Sequence, residues 1–542
     1  MFSNVPHAMK GGDFTLLRRF HQITLLSSRF YLANAAEPAG ISMSDFRESE
    51  PSIKDKLYTE TAGGSMNGNH EIWYAALKAR DPKFDGRIFV GVSSTKIYCR
   101  TVYGARTPKA ENCHFYPSAA AAERDGYRPC LKCRPELAPG LSIVDLSSRY
   151  MQLAVQLIEQ GFLTQHSCED LATRLGISDR QLRRVFADRF GASPIEYAQS
   201  YRLLQAKRLL MDSHLPLAEV ALSAGFSSLR RFNELFSARY RMTPSSLRAS
   251  HKGQEEGLTL SLSYRPPYDW AWMLGFLAAR SVLGVDSVTA NGDYQRTLRI
   301  GDAVGWIVLH PEASRCRVKV QISASLAPHA PEVLRRVRQL LDLDADPVAI
   351  SAGLGSLAQN PGLRLPGCVN AFEQSVRAIL GQVVSVKMAA KFASVVAERW
   401  GEAVDTPRDE LKVIFPDAHQ LARVTPEELK TIGIPLKRAA SIVHLAKEVS
   451  EGRLSLEDVL DIEGGIAAIT AIPGIGSWTA TYIAMRAWSW PDAFLQGDYL
   501  IKQRFPQMTP SKIVHYAERW RPWRAYATLH LWHNDSWTTE TI

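Results

Sequence analysis

The feature that most constrains this chain is an internal echo. Leu171-Ala172-Thr173-Arg174-Leu175-Gly176-Ile177-Ser178 returns as Val220-Ala221-Leu222-Ser223-Ala224-Gly225-Phe226-Ser227, and the units close alike at Ser193-Pro194 and Thr243-Pro244. Each reads as helix, glycine turn, serine N-cap and second helix, because glycine tolerates a left-handed turn and serine accepts from the free N–H groups of a helix start. The stretch Ile195 to Met211 between them is itself helix-forming. The second helices offer Arg180, Gln181 and Arg184, then Ser228, Arg230 and Arg231. Arginine and glutamine suit guanine and adenine edges in the major groove, and Cys168 to Arg248 carry 13 basic residues against 8 acidic. The repeat predicts an all-α, two-headed DNA-binding module over 145–250 that reaches two successive major-groove turns without dimerising.

At 542 residues the chain is too long for one core and divides into about three or four domains. Its 64 Lys and Arg against 55 Asp and Glu, a net charge of +9, suit an acidic partner such as DNA. Seven cysteines, unevenly spaced and including one Cys-x-x-Cys, suggest a reducing compartment and a metal site rather than a disulfide framework. No run of about 18 uncharged apolar residues occurs, so the expectation is a soluble, cytoplasmic, nucleoid-associated protein without a membrane partner. Residues 1–65 hold basic and Ser-rich patches interrupted by Asp13, Glu37 and the acidic stretch from Asp45 to Glu50. They read as a disordered extension or a mis-assigned start, with Met66 opening the folded protein.

Between residues 66 and 137 four cysteines fall close together: Cys99 in Ile97-Tyr98-Cys99-Arg100, Cys113 in Glu111-Asn112-Cys113-His114, and Cys130 and Cys133 in Arg128-Pro129-Cys130-Leu131-Lys132-Cys133. A Cys-x-x-Cys knuckle plus two further cysteines can close a tetrahedral zinc site and brace a domain too small to support itself. The wording resembles the amino-terminal domain of the Ada adaptive-response regulators. That resemblance implies a small zinc-binding α+β module in which Cys99 takes a methyl group from a DNA methyl phosphotriester, irreversibly. It also implies a second cysteine four residues after the acceptor, where this chain has Tyr103. The fourth zinc ligand is therefore open between Cys113, Tyr103 and a water, beside Cys99, Cys130 and Cys133.

Further on, Pro473-Gly474-Ile475-Gly476-Ser477-Trp478-Thr479-Ala480 precedes an apolar helical stretch and then the isolated carboxylate of Asp498. Gly474 and Gly476 let a tight hairpin between helices bring backbone N–H groups against a DNA phosphate. The pattern matches helix-hairpin-helix glycosylases, in which one Asp works on a flipped-out nucleotide. Longer matches narrow it: Pro266-Pro267-Tyr268-Asp269-Trp270, Pro361-Gly362-Leu363-Arg364-Leu365-Pro366-Gly367-Cys368, Arg377-Ala378-Ile379-Leu380-Gly381-Gln382 and Asp498-Tyr499-Leu500-Ile501-Lys502. From about Leu258 to about Trp537 the chain resembles AlkA-type DNA-3-methyladenine glycosylases, and the repeat before it resembles the AraC-type DNA-binding domain.

The AlkA resemblance implies an α+β domain over 258–355 and an all-α helix-hairpin-helix domain over 361–542, with the cleft between them. It makes Asp498 the catalytic carboxylate, Trp478, Tyr482, Trp532 and Phe276 the base pocket, and Val383 the wedge that fills the vacated stack. Trp478 stands where base-excising lyases of this superfamily carry a Schiff-base lysine, so water takes the sugar. Gly497 replaces a second acid, Gln496 a proline, and Val383 a leucine. No Pro-Cys-His-Arg motif occurs, so an O6-alkylguanine methyltransferase domain is not expected.

The whole therefore reads as an Ada-like regulator fused to an AlkA-like glycosylase. Double-stranded DNA, both lesions and promoters, is the partner, with RNA polymerase a further candidate. Zinc is the one cofactor, with no organic cofactor. The rival readings are a glycosylase and regulator with purely structural zinc, and a DNA-binding regulator without catalysis.

Overall fold

The computed structural model describes residues 70–146, 148–248, 257–534 and 536–537. The extension expected over 1–65 lies outside them. Among the described residues no helix is long and apolar enough to cross a membrane.

The first module sets the helix His70–Ala79 and the short helix Ala119–Arg124 against a four-stranded sheet of β1 (Phe89–Val92), β2 (Ile97–Arg100), β3 (Cys113–Tyr116) and β4 (Arg128–Pro129), in the order β3-β1-β2-β4. β1 pairs antiparallel with both β2 and β3, whereas β4 runs parallel to β2.

The repeat forms as expected, with one correction. Helices Cys168–Arg174 and Asp179–Phe190 make the first unit, Leu217–Ser223 and Leu229–Tyr240 the second, and Pro194–Asp212 joins them. Gly176 and Gly225 take φ of 68° and 84°. Ser178 caps the first recognition helix by accepting from Gln181 N–H, but in the second unit the cap is Ser228, not Ser227. The turn there is one residue longer. The buried face follows the cap: Leu182, Phe186 and Phe190 correspond to Phe232, Phe236 and Tyr240 at a spacing of 50 rather than 49.

The third layer is a five-stranded antiparallel sheet of β5 (Leu258–Ser263), β6 (Asp286–Val288), β7 (Tyr294–Ile300), β8 (Ala303–Glu312) and β9 (Arg317–Ile322), ordered β5-β9-β8-β7-β6. β5 and β9 bury every second residue, the signature of a sheet with one covered face. Helix Ala330–Leu340 covers it, burying Val333, Leu334, Val337 and Leu340.

Core packing redraws the expected divisions. Leu203, Leu209, Leu210, Phe232, Phe236 and Tyr240 of the second helix-turn-helix unit lie in the same core as Leu260, Val318 and Val320 of the sheet and Tyr526 and Leu529 near the carboxyl end. The first unit keeps its own core around Leu171, Phe186 and Phe190, joined by Leu460. A separate helical core gathers Val376, Ile379, Ile442, Ile475, Ile483 and Trp488. The helical glycosylase-like region is therefore split. Its hairpin belongs to one lobe, and its last helices, Tyr499–Arg504 and Arg524–His533, belong with the sheet.

The modules are also tied by charge. Arg265, 1% exposed, donates to the carbonyls of Asp85 and Gly140 at 2.9 and 2.8 Å. Arg134 grips Asp212 through two bonds of 2.6 Å. Lys207 meets Glu136 at 2.6 Å with both side chains fully buried. Burial pushes the Glu136 carboxyl up, yet Lys207 and Arg134 outweigh it and hold it below its usual range.

Candidate functional site

Where the two lobes meet, a cleft of about 450 Å³ is lined by Phe276, Arg280, Val383, Gly476, Trp478, Tyr482, Asp498 and Trp532 among others. Asp498 is the N-cap of Tyr499–Arg504. Its Oδ1 accepts from the N–H of Leu500 at 3.0 Å, of Ile501 at 3.3 Å and from the indole of Trp532 at 3.1 Å. All three of these bonds go to Oδ1, and Asp498 lines the cleft. Burial raises the pKa of Asp498 above the usual carboxylate value, opposed by the Trp532 indole, the two backbone donors and the Trp478 indole.

The aromatics are not equivalent. Trp478, at the start of helix Ser477–Ala487, stacks on Tyr482 with ring centres 5.2 Å apart and planes at 14°. The Tyr482 hydroxyl accepts from Arg486 at 2.8 Å; burial alone would raise its pKa, but Arg486 and Arg280 bring it down. Trp532 spends its N–H on Asp498. Phe276 is only 1% exposed, with the guanidinium groups of Arg280 and Arg486 at 3.7 and 4.8 Å from its ring centre. Two guanidinium groups thus lie against the ring of a residue that also lines the cleft. These two arginines escape sequence reading, because Arg280 in Ala279-Arg280-Ser281 has no motif around it.

The hairpin joins helices Ile462–Thr470 and Ser477–Ala487. Its two glycines do different things. Gly474 has φ of 88°, and a Cβ there would sit 2.3 Å from Ser441 Oγ. Gly476 is extended, at φ −91° and ψ 171°, with open space around its missing side chain. Only Gly474 uses the left-handed backbone that glycine permits. Gly476 caps its helix without a side chain, leaving the first N–H groups available to an anion. Val383 is 46% exposed with φ of 55°, an unusual conformation for a β-branched residue. Its neighbour Gln382 donates to Gly474 O and Thr479 Oγ1, both at 3.1 Å, and so ties this loop to the hairpin.

In the first module Cys99, Cys130 and Cys133 lie with their sulfurs within 4.8 Å of one another. The pairing of β4 with β2 brings them together, since Cys130 N–H donates to Tyr98 O at 3.0 Å. Arg100 N–H points at Cys133 Sγ at 3.4 Å, and Cys133 N–H at Cys130 Sγ at 3.5 Å. A tetrahedral site with Zn–S bonds of about 2.3 Å has sulfur–sulfur edges of about 3.8 Å, so the three fit zinc. Cys113 does not join them. It lies on β3, on the far side of β1, and its buried thiol donates to Lys109 O at 3.4 Å. Two strand spacings across the sheet, roughly 9.6 Å, and two residues along it separate it from Cys99.

On the repeat, Arg180, Arg184, Arg230 and Arg231 are exposed and Gln181 half-exposed. Arg230 pairs with Glu234 at 2.9 Å. Arg180, Arg184 and Arg231 make no ion pair among the described residues.

A hairpin-built cleft with one capped carboxylate, a double helix-turn-helix and a three-cysteine module define the class: a DNA-binding regulator joined to a helix-hairpin-helix base-excision fold. Residues 72–136 match the metal binding domain of Ada, 171–250 a helix-turn-helix domain, and 259–370 the AlkA N-terminal domain. The chain is 36% identical to the probable bifunctional transcriptional activator/DNA repair enzyme AlkA of Mycobacterium tuberculosis over 488 residues, 86% of this chain and 97% of that one. It is 49% identical to DNA-3-methyladenine glycosylase 2 of Escherichia coli over 278 residues, 51% of this chain and 98% of that one. To the bifunctional transcriptional activator/DNA repair enzyme Ada of Escherichia coli it is 29% identical over 191 residues, 35% of this chain and 51% of that one. The chain belongs to the family of AlkA-type bifunctional transcriptional activator/DNA repair proteins, in which an Ada-like regulator is fused to an AlkA-like glycosylase.

Proposed function

We propose that the cleft releases alkylated bases of the 3-methyladenine and 7-methylguanine kind from DNA by hydrolysis, and that the rest of the chain senses alkylation and binds promoters. The observation that carries this is Asp498, held through Oδ1 by three donors and lining a cleft walled by Trp478, Tyr482 and Trp532. A flipped nucleotide would stack its base on Trp478, whose face attracts a ring made cationic by alkylation. As the glycosidic bond lengthens, positive charge grows on the sugar and the Asp498 carboxylate opposes it. The bond breaks with its electron pair going to the base, which already carries charge and needs no proton from an acid. Water then adds to the sugar, because Trp478 stands where a lysine would be required for a covalent imine. Gly474 shapes the hairpin, Gly476 opens its N–H groups to a phosphate, and Val383 fills the gap left in the stack.

In the first module the Cys99 thiolate would attack the methyl carbon of a phosphotriester. The new S–C bond forms as the C–O bond breaks, and the phosphodiester leaves with the electron pair. Zinc on Cys99, Cys130 and Cys133 would keep the sulfurs deprotonated near neutral pH. The exposed faces around Arg180, Gln181, Arg184, Arg230 and Arg231 would read two major-groove segments of a promoter. RNA polymerase is the partner a bound activator addresses, and the nucleoid in the cytoplasm is where such a protein works.

A second reading keeps the glycosylase and regulator but makes the zinc purely structural. Tyr103 in place of a fourth cysteine favours it. Mass spectrometry of the full chain after incubation with methylated DNA decides: one added methyl on Cys99, without turnover, supports transfer, and an unmodified Cys99 leaves only structure. Release of methylated bases from the same DNA tests the cleft independently.

A further inference from the structure

The two recognition helices, Asp179–Phe190 and Leu229–Tyr240, end against one short helix of the cysteine module, Ala119–Arg124. Ser118 starts that helix by accepting from Ala121 N–H at 3.0 Å. The same hydroxyl donates at 2.6 Å to Phe190 O, a carbonyl left over at the end of the first recognition helix. Gly191 caps that end at φ 61°, so close that a Cβ there would lie 3.2 Å from Ala121 and 3.3 Å from Pro117. At the other end of the short helix, Glu123 O accepts at 2.7 Å from Arg239, in the last turn of the second recognition helix. Ser118 and Glu123 are five positions apart, a rise of about 7.5 Å along a helix axis. The short helix is itself fixed: Ala120, Ala121 and Ala122 are buried, and the Glu123 carboxyl accepts at 2.9 Å from Tyr98, the neighbour of Cys99. It also packs on the linking helix Pro194–Asp212, which the same module clamps through Arg134–Asp212 and Lys207–Glu136.

We propose that helix Ala119–Arg124 is a spacer that sets the separation of the two recognition helices, with Ser118 and Arg239 as its positioning contacts. The inference rests on the reading that both helices enter the major groove, and not on methyl transfer or base release. A two-headed reader fits its site only when its heads match the pitch of the duplex, about 34 Å and about 10.5 base pairs per turn. One inserted base pair displaces the second half-site by about 3.4 Å and turns it by about 34°. A rigid pair of heads rejects such a site, and a loose pair follows it. The linking helix joins the units by one path. The spacer closes a further path between their carboxyl ends and resists twisting that the first leaves open.

The test uses the zinc-loaded full chain and a duplex that it selects from random-sequence DNA, beside the same duplex with one base pair inserted between the half-sites. The unaltered chain should bind the lengthened duplex about tenfold or more weakly, the scale of one or two mismatched base pairs. Ser118→Ala combined with Arg239→Met should cut that penalty to about threefold or less, whereas a merely structural role would weaken both duplexes alike. Ser118→Thr with Arg239→Lys keeps both donors and should restore the wild-type penalty. Arg239→Met alone changes a half-exposed side chain, so it serves where the double variant does not fold, and should lower the penalty part of the way. Spin labels on noncanonical residues at the exposed Ala187 and Ala238 give a readout without DNA: one narrow distance in the unaltered chain, broadened in the double variant. An unbroadened distance, a penalty equal to wild type in the double variant, or an unaltered chain that tolerates the insertion overturns the spacer. A failure of promoter reading shows instead as the absence of any preferred sequence, and the label distance then judges the spacer by itself.

Discussion

The cleft and the cysteine cluster are supported in opposite ways. Asp498 is fixed by its own helix start, through donors two and three residues on and one indole 34 residues away. The cysteines are brought together by strand pairing, with β2 supplying one sulfur and the turn after β4 the other two. In the first case the fold stands without the functional group. In the second the functional groups, once they hold zinc, are part of what makes the fold stand. Chemistry and stability should therefore separate at the cleft and coincide at the cluster.

The strongest test of that contrast is Asp498→Asn. Base release should fall by about 10²–10³-fold, the usual cost of removing one preorganised electrostatic group, measured on methylated DNA under single-turnover conditions. A loss below about tenfold, only about 1.4 kcal/mol of barrier, breaks the assignment. Stability should move the other way. Asn still caps the helix, and because burial raises the Asp498 pKa, ionising it costs the folded state as pH rises through that value. The melting temperature of Asp498→Asn should match or exceed wild type at pH 7, with the advantage gone in acid.

At the cluster, Cys130→Ser should release zinc and melt the first module. Cys113→Ser should keep zinc and cost only about 1 kcal/mol, as for an ordinary core change. Metal content after dialysis with each melting curve reads both. Zinc loss in Cys113→Ser would erase the distinction drawn from the strand order.

Trp532→Phe sharpens the cleft side. It keeps an aromatic ring and deletes the donor to Asp498, so the carboxylate loses a bond that favours its charged form. The acid limb of kcat/KM should move to higher pH, with a rate loss at neutral pH of about tenfold or less, given roughly 0.5–1.5 kcal/mol for one hydrogen bond. An unshifted limb would return Trp532 to a stacking role alone.

The smallest effects separate the two glycines. Gly474→Ala should destabilise by about 1 kcal/mol or more, since it combines a positive φ with a Cβ 2.3 Å from Ser441 Oγ. Gly476→Ala, in ordinary backbone and open space, should leave the melting temperature alone and weaken binding to DNA of any sequence by a few-fold. Equal behaviour of the pair would show that the hairpin is read wrongly.

What was legible in the sequence was whatever is encoded locally. The repeat, the Ser178 cap, the linking helix and the Asp498 context are each contained within a few turns of chain. The second unit's cap moved to Ser228 because one extra residue fits a glycine turn at no cost to the buried Phe232 and Phe236 face, and aligning the first helices alone hides it. Cys113 looked like a ligand because spacing is silent about strand order: β1 stands between it and Cys99. Phe276 lines the cleft, but of the two arginines against its ring only Arg280 is near in sequence, and Arg486 comes from a segment over 200 residues away. The expected boundary between residues 355 and 361 is crossed by a common core, because apolar pattern alone does not say which apolar faces meet.

That common core bears on how the chain can be divided. Leu203, Leu209, Phe232 and Phe236 face the same interior as Leu260 and Val320, so the second helix-turn-helix unit and the sheet complete one another. A protease cutting between residues 248 and 257 should yield two fragments that stay together through gel filtration and part only in denaturant. A chain ending at 248 would carry bare apolar surface and tend to aggregate. Exchanging regulators among such proteins by cutting at this point would therefore need the sheet face to travel with them.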